Sequence, residues 1–154
     1  MRFRLNRFAA ISDIEKAFLQ VGIQEQARDV VRFLWLKQPD RISLADNFQH
    51  YRFTRVSFGV ISSPFLLSAT LKHHLSHHHS HMAKEMIDNF YVDNLLITAP
   101  TLEQAQEYVH GARGILLEMA MNLHEFASNS PNVIHGLSPE HKQKADSIML
   151  LSGT

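Results

Sequence analysis

Hydrophobic positions along the chain recur with two different spacings, which together predict a mixture of strands and helices. Residues 2–12 alternate and then become wholly apolar, as in a strand that enters a core. Leu67, Leu71 and Leu75 recur at every fourth residue, the spacing of a buried helical stripe. A second stripe covers residues 102–119 and follows a Thr101 cap. The chain is therefore expected to fold as α+β.

The stretch 89–98 predicts a β-hairpin with a carboxylate at its tip. Apolar and β-branched residues flank the pair Asp93 and Asn94, and both residue types tolerate the positive φ of a tight turn. A second carboxylate, Asp13, follows the first strand. Two aspartates at adjacent strand ends can bind a divalent cation. Local spacing alone favours a simpler interpretation of Asp13 as a turn or helix-start residue, because Ser12 and Glu15 have the spacing of a capping box.

A further pair of strands is predicted at residues 30–36 and 51–58, joined by a loop that begins near Pro39. Arg32, Arg52 and Arg55 belong to these strands. Arginine side chains in such positions either bind nucleic-acid phosphates or form the solvated face of a sheet.

Histidine is concentrated between residues 73 and 81. On a helix His73/His77, His74/His78 and His77/His81 would be i,i+4 pairs, which is the spacing that lets two imidazoles bind one metal ion. A zinc or nickel site is therefore possible. The alternative is a polar helix end that binds metal only adventitiously, since no cysteine or acidic pattern completes a site.

Composition limits the classes of protein that fit. The 154 residues suit one domain, and no apolar run is long enough for a membrane span. Cysteine is absent, which excludes disulfides and thiolate metal sites. There is no signal-peptide pattern, so an intracellular, non-secreted protein is expected. Formal net charge is zero and lends no support to nucleic-acid binding, although Arg2, Arg4 and Arg7 cluster at the start.

Three segments resemble the motifs of reverse transcriptases. Residues 91–94, Tyr-Val-Asp-Asn, resemble the Tyr-x-Asp-Asp box of that family, and residues 12–21 resemble its first catalytic motif. Residues 58–67 resemble the motif between them, and the order and spacing match as well. The amino-acid sequences of these motifs are most similar to those of the Pao/BEL group of LTR retrotransposons. The resemblance extends from about Arg2 to Leu151.

The resemblance implies a metal-dependent polymerase site. Asp13 and Asp93 would be the catalytic residues and would bind Mg²⁺ or Mn²⁺, with the backbone carbonyl of Ile14 as a further ligand. Asn94 stands where the family generally has a third carboxylate, and it offers an amide oxygen without charge. We expect weaker metal binding as a result.

The resemblance also implies residues that contact the nucleotide and the primer. Phe18 would pack under the incoming sugar and exclude a 2′-hydroxyl, although an ordinary core phenylalanine has the same spacing. Phe58 and Gly59 would approach the nucleotide and template, and Tyr91 would lie near the primer end. The implied partners are an RNA or DNA template-primer and deoxynucleoside triphosphates.

The implied fold is a palm-like antiparallel sheet with two long helices on one face and a partial fingers segment. We expect residues 1–154 to form a single, truncated domain that lacks a thumb and a ribonuclease H domain. Such a domain would be a degenerate copy or part of a longer polyprotein, located in a cytoplasmic particle or the nucleus, with weak or no activity alone. The alternatives are a non-catalytic module that binds nucleic acid or protein, and a histidine-rich metal-binding protein.

Overall fold

The computed structural model describes residues 6–41 and 45–143. Its strands are β1 (Phe8–Ile14), β2 (Arg32–Leu36), β3 (Phe48–Arg52), β4 (Phe90–Tyr91), β5 (Asn94–Ala99) and β6 (Leu123–Ser128). Its α-helices are α1 (Ala17–Gln20), α2 (Ser63–His77), α3 (His81–Asn89) and α4 (Leu102–Leu117). Short 3₁₀ turns occur at Glu25–Val31, Ala45–Asn47, Pro131–Ile134 and Pro139–His141. Arg2, Arg4 and Leu151, which the sequence analysis singled out, lie outside the described residues.

A four-stranded antiparallel sheet in the order β4-β5-β1-β6 forms the centre of the fold. Successive side chains of β1 point to opposite faces of the sheet. Ala10, Ser12 and Ile14 are therefore buried, whereas Ile11 and Asp13 lie partly exposed on the other face. The α+β prediction is confirmed, and Asp13 lies near the end of β1, one of the two central strands of the sheet.

Two long helices, α2 and α4, bury their apolar stripes together with the inner face of the sheet. Leu67, Leu71 and Leu75 of α2 are buried as predicted. Thr101 caps α4, because its Oγ1 accepts a hydrogen bond from the Gln104 amide at 3.3 Å. Gly111 of α4 lets α3 approach closely, since a Cβ at that position would lie 2.6 Å from the Met82 Sδ.

The predicted capping box at the end of β1 is wrong. Ser12 is still part of the strand, and its side chain points into the core, where the Oγ has no hydrogen-bond partner among the described residues. Glu15 accepts a hydrogen bond from the Asn122 side chain at 3.1 Å instead. Helix α1 begins only at Ala17, after Lys16 adopts a left-handed conformation with φ of 50°.

The second hairpin pairs β2 with β3, but β3 starts earlier than the sequence predicted. Strand β3 begins at Phe48 and ends at Arg52, because Asn47 closes the loop. The Asn47 side chain accepts from the Gln38 amide at 2.9 Å and donates to the Gln38 carbonyl at 2.8 Å. The resulting register pairs Leu36 with Phe48.

Ser12 offers a test of the buried, unpaired hydroxyl. We expect Ser12→Ala to raise the free energy of unfolding by about 1 kcal/mol, since burying a hydroxyl without a partner is unfavourable. Ser63→Ala is the matched control, because Ser63 is also buried but its Oγ donates to the Ser57 carbonyl at 2.7 Å. Urea denaturation should show stabilisation for the first variant and destabilisation for the second. Equal losses in both would contradict the assignment.

Candidate active site

Asp13 lies near the end of β1, between the two strands that flank it. It pairs with Asn94 of β5 on one side and with His124 of β6 on the other. Its side chain is on the face of the sheet away from the helices and is partly exposed. The carboxylate is therefore accessible to a ligand above the sheet.

Asp93 lies at the tip of the hairpin formed by β4 and β5. Tyr91 pairs with Asn94, so the two central residues of the turn are Val92 and Asp93. The backbone amide of Ile14 donates to the Asp93 carbonyl at 3.0 Å. This hydrogen bond joins the turn directly to the strand that carries Asp13.

The hairpin prediction is correct, but the positive φ falls on a different residue from the one expected. Val92 has φ of 58°, whereas Asp93 and Asn94 are not in the left-handed region. Asn94 cannot be a central turn residue because it already pairs within β5 with both Tyr91 and Asp13. A β-branched residue at positive φ is strained, and such strain is concentrated at functional sites.

Asp13 and Asp93 are close enough to interact electrostatically. Burial raises the pKa of the Asp13 carboxyl, the negative charge of Asp93 raises it further, and nearby His124 partly opposes both effects. A divalent cation between the two carboxylates would relieve this repulsion. Mg²⁺ is commonly bound by one or two carboxylates together with substrate phosphates, and this donor set fits that pattern.

Asn94 is placed beside Asp93 but adds no charge. Its amide Nδ2 donates to the Asp93 Oδ1 at 3.1 Å. This contact fixes the orientation of the Asp93 carboxylate. No group of three histidine, aspartate or glutamate side chains in the described part of the chain is arranged to hold a metal ion.

His124 is a neighbour of Asp13 that the sequence analysis missed. Its Nε2 lies 3.5 Å from the Asp13 Oδ2. A bulge in β6 produces this arrangement, because Glu125 and Phe126 together stand opposite Ser12 and Glu125 has φ of 51°. No local sequence pattern could have revealed the contact, since it depends on the pairing of β1 with a strand far along the chain.

Two of the residues expected to contact the nucleotide, Phe18 and Phe58, are in contact with each other. Phe18 is buried, and its ring meets that of Phe58 edge to face with centroids 4.9 Å apart. Phe58 and Tyr91 are exposed and available for contact. Gly59 has φ of 83°, and among the described residues nothing lies within 4 Å of the position its Cβ would occupy. Its conformation, not a close approach within this chain, accounts for the glycine.

The histidine-rich stretch does not form one continuous helix. Helix α2 ends at His77, and α3 begins at His81 after an extended segment, so the predicted His77/His81 helical pair is wrong. The ring centroids of His73 and His77 are 4.5 Å apart, but the His77 Nδ1 lies 2.7 Å from the His73 carbonyl oxygen. The backbone thus occupies one of the two His77 nitrogens.

Three further histidines of the stretch, His74, His78 and His81, lie close to a backbone carbonyl or a carboxylate. The His74 Nε2 lies 3.3 Å from the Ile115 carbonyl oxygen, and the His78 Nε2 lies 3.4 Å from the Glu118 carboxylate. The His81 Nδ1 lies 3.3 Å from the Glu85 carboxylate. These contacts join the helix ends and do not direct the imidazoles toward one point.

Within residues 6–41 and 45–143, no helix is long and apolar enough to cross a lipid bilayer.

The region that contains these residues matches a known protein family. Residues 3–126 match the family model described as reverse transcriptase (RNA-dependent DNA polymerase). No protein with a curated description matches the chain in sequence.

The fold is similar to solved structures of a viral enzyme. The foamy viral protease-reverse transcriptase in complex with an RNA/DNA hybrid is 19% identical, with a TM-score of 0.57 over 77% of this chain and 14% of that chain. The same enzyme with double-stranded DNA is 20% identical, with a TM-score of 0.55 over 77% of this chain and 22% of that chain. The chain thus spans less than a quarter of the length of these structures.

Proposed function

Because the chain belongs to the reverse transcriptase (RNA-dependent DNA polymerase) family, we propose that it is the catalytic palm of an enzyme that extends a primer 3′-hydroxyl on an RNA template. The observation that carries this proposal is the proximity of Asp13 and Asp93: Asp13 pairs with Asn94, the residue next to Asp93, and the charge of Asp93 raises the pKa of Asp13. The hydrogen bond from the Ile14 amide to the Asp93 carbonyl supports a fixed spacing between the two carboxylates. The substrates would be a template-primer and deoxynucleoside triphosphates.

Asp13 and Asp93 would hold Mg²⁺ or Mn²⁺, with the Ile14 carbonyl and the Asn94 amide oxygen as further donors. When bound, a pair of such ions lowers the pKa of the attacking hydroxyl and offsets the charge of the leaving group. The protein's own contribution is geometric. Asn94 orients the Asp93 carboxylate through its 3.1 Å hydrogen bond. On β6, the other neighbour of β1, the His124 Nε2 lies 3.5 Å from the Asp13 Oδ2.

Aromatic side chains would bind the organic part of the substrates. Phe18 is fixed by packing in the core and by the ring of Phe58, so it can limit the space beneath a sugar. Tyr91, exposed beside the turn, would contact the primer end. Discrimination against a 2′-hydroxyl would follow from the rigid position of Phe18, because a fixed ring cannot move aside.

The domain would work as part of a longer retrotransposon polyprotein of the Pao/BEL type. The similar solved chains are several times longer than this one, which supports a need for further fingers, thumb and ribonuclease H segments. We therefore expect weak or undetectable extension by the isolated chain and stronger extension when those segments are supplied.

Primer extension on an RNA template tests the proposal. Extension that requires Mg²⁺ or Mn²⁺ would support it, either by the chain alone or by the chain within its longer protein. Binding of Mn²⁺ near Asp13 and Asp93, followed by electron paramagnetic resonance, provides a second readout that does not need turnover. A folded chain that neither binds Mn²⁺ nor supports extension in the longer protein would contradict the proposal.

Asn94→Asp is expected to strengthen Mn²⁺ binding at least about tenfold. It adds a carboxylate beside Asp93, and a unit charge about 4 Å from a unit charge of opposite sign is worth about 4 kcal/mol at an effective dielectric constant of 20. The control is Asn132→Asp, which adds the same charge at an exposed position on a 3₁₀ turn. Calorimetric titration with Mn²⁺ measures the change. Equal affinities in Asn94→Asp and the wild type would argue against a metal at Asp93.

A further inference from the structure

Two histidines, His73 and His77, lie side by side on the exposed face of the last turn of α2. Residues four positions apart share one face of a helix. Leu71 and Leu75, on the opposite side of the helix, are buried in the core, whereas both imidazoles are exposed. The two rings have centroids 4.5 Å apart and planes 44° apart. This pair of imidazoles is therefore open to an ion from solvent.

The tautomer of His77 is determined by its contact with the backbone. Its Nδ1 lies 2.7 Å from the His73 carbonyl oxygen, and a carbonyl oxygen can only accept a hydrogen bond. The Nδ1 of neutral His77 must therefore carry the proton, which leaves the lone pair on the Nε2. Histidines that bind metal ions usually donate the other ring N–H to a backbone carbonyl or a carboxylate in this way. His77 thus already has the form that a metal ligand needs.

The separation of the His73 and His77 rings fits two ligands of one ion. With metal–nitrogen bonds of about 2 Å, two imidazoles in adjacent coordination positions have ring centroids roughly 4.5–5 Å apart. The rings of the neighbouring pair, His74 and His78, are 6.1 Å apart and fit less well. The end of α2 also favours a cation, because its terminal carbonyl groups carry partial negative charge and His77 is the last helical residue.

We propose that His73 and His77 bind one Zn²⁺, Ni²⁺ or Cu²⁺ ion through their Nε2 atoms, with water completing its coordination. Imidazole nitrogen suits these cations, whereas Mg²⁺ prefers oxygen ligands. The site therefore takes a different class of cation from Asp13 and Asp93 and does not depend on polymerase activity. An ion bound by both histidines joins successive turns of α2. It stabilises the folded chain, because the unfolded chain does not hold the two rings together.

Calorimetric titration of the full chain with Zn²⁺ tests the site. His73→Ala and His77→Ala should each weaken Zn²⁺ binding at least about tenfold, because the second imidazole binds intramolecularly once the first has bound. The matched control is His79→Ala, which removes an exposed histidine two residues beyond the end of α2. It should bind Zn²⁺ like the wild type. Circular dichroism establishes that each variant is folded.

Two further measurements report on the ligands and on the helix. With one equivalent of Cu²⁺, electron paramagnetic resonance should show coupling to two imidazole nitrogens in the wild type and in His79→Ala, but to fewer in His77→Ala. Thermal unfolding should show a higher Tm in Zn²⁺ than in EDTA for the wild type and for His79→Ala. The Tm of His77→Ala should change little between the two conditions.

Other results would overturn the proposal. Equal Zn²⁺ affinities in His77→Ala and the wild type would place the ion elsewhere, and equal losses in His77→Ala and His79→Ala would exclude a defined pair. Binding seen only at millimolar Zn²⁺ would show an adventitious ion only. One ion for every two chains, with a dimer in sedimentation, would place the ion between protein chains. Asp13→Asn should bind Zn²⁺ like the wild type, and a loss there would assign the ion to the polymerase site.

Discussion

Replacing Asp13 or Asp93 with asparagine is expected to reduce primer extension by about a thousandfold or more while the domain stays folded. Each variant removes one of the two charged ligands proposed for the metal ions. Metal ions stabilise the transition state of such reactions by several kcal/mol, and each 1.36 kcal/mol corresponds to a factor of ten in rate. Extension by the longer protein, measured with Mg²⁺ and Mn²⁺, provides the test. A variant that extends at near wild-type rate would exclude that aspartate as a ligand.

Thermal unfolding distinguishes this loss from a loss of structure. Burial and the charge of Asp93 raise the pKa of Asp13 in the folded chain. The contribution of Asp13 to stability is therefore fully present below its ordinary pKa and is lost as the pH rises through the raised value. At pH 7 in EDTA, Asp13→Asn should have a Tm equal to or higher than that of the wild type. Added Mg²⁺ should raise the Tm of the wild type but not that of Asp13→Asn.

Phe126→Ala is expected to lower the free energy of unfolding by about 3–5 kcal/mol, a large share of the stability of an ordinary domain. Phe126 is 1% exposed, is one of the two residues of the β6 bulge, and has its side chain in the core. The bulge lets both Leu123 and Phe126 face the core, although they are three residues apart. The shortened side chain would leave a cavity at this position.

The matched control for Phe126→Ala is Phe65→Ala, at a site that is 72% exposed. Its effect should stay within about 0.5 kcal/mol, as is usual for surface substitutions. Urea denaturation of both variants, with unchanged m-values, measures the difference. If the two losses were similar, Phe126 would not occupy the position in the core described above.

Local patterns in the sequence predicted much of this fold. The stripe of Leu67, Leu71 and Leu75 and the Thr101 cap depend on residues within a few positions of each other, and both are present. The hairpin around Asp93 was also predictable, because its strands are adjacent in sequence. The placement of Asp13 beside Asn94 was expected only through the family resemblance, since local spacing favoured a turn or helix start.

Features that depend on distant contacts could not be predicted. The positive φ lies on Val92 and not on Asn94, which pairs with Asp13 of a distant strand, and the β6 bulge lies opposite Ser12 of that same strand. The proximity of His124 to Asp13 needs both the register and the bulge. Helix α2 runs into the histidine-rich stretch and ends at His77, so His77 and His81 do not lie on one helix. Histidine alone gives no stop signal of the kind that proline or glycine provides.

The edges of the two sheets have a consequence for the solubility of the protein. An unpaired strand edge is a template for aggregation, and short or covered edges reduce that risk. The central sheet is protected, because edge strand β4 has only two residues and β6 is bridged at Phe126 by Lys142 and Gln143. The hairpin of β2 and β3 has five-residue strands with apolar side chains exposed on both faces. In concentrated solution, aggregation should therefore begin at this hairpin, and charged substitutions along β2 should delay it.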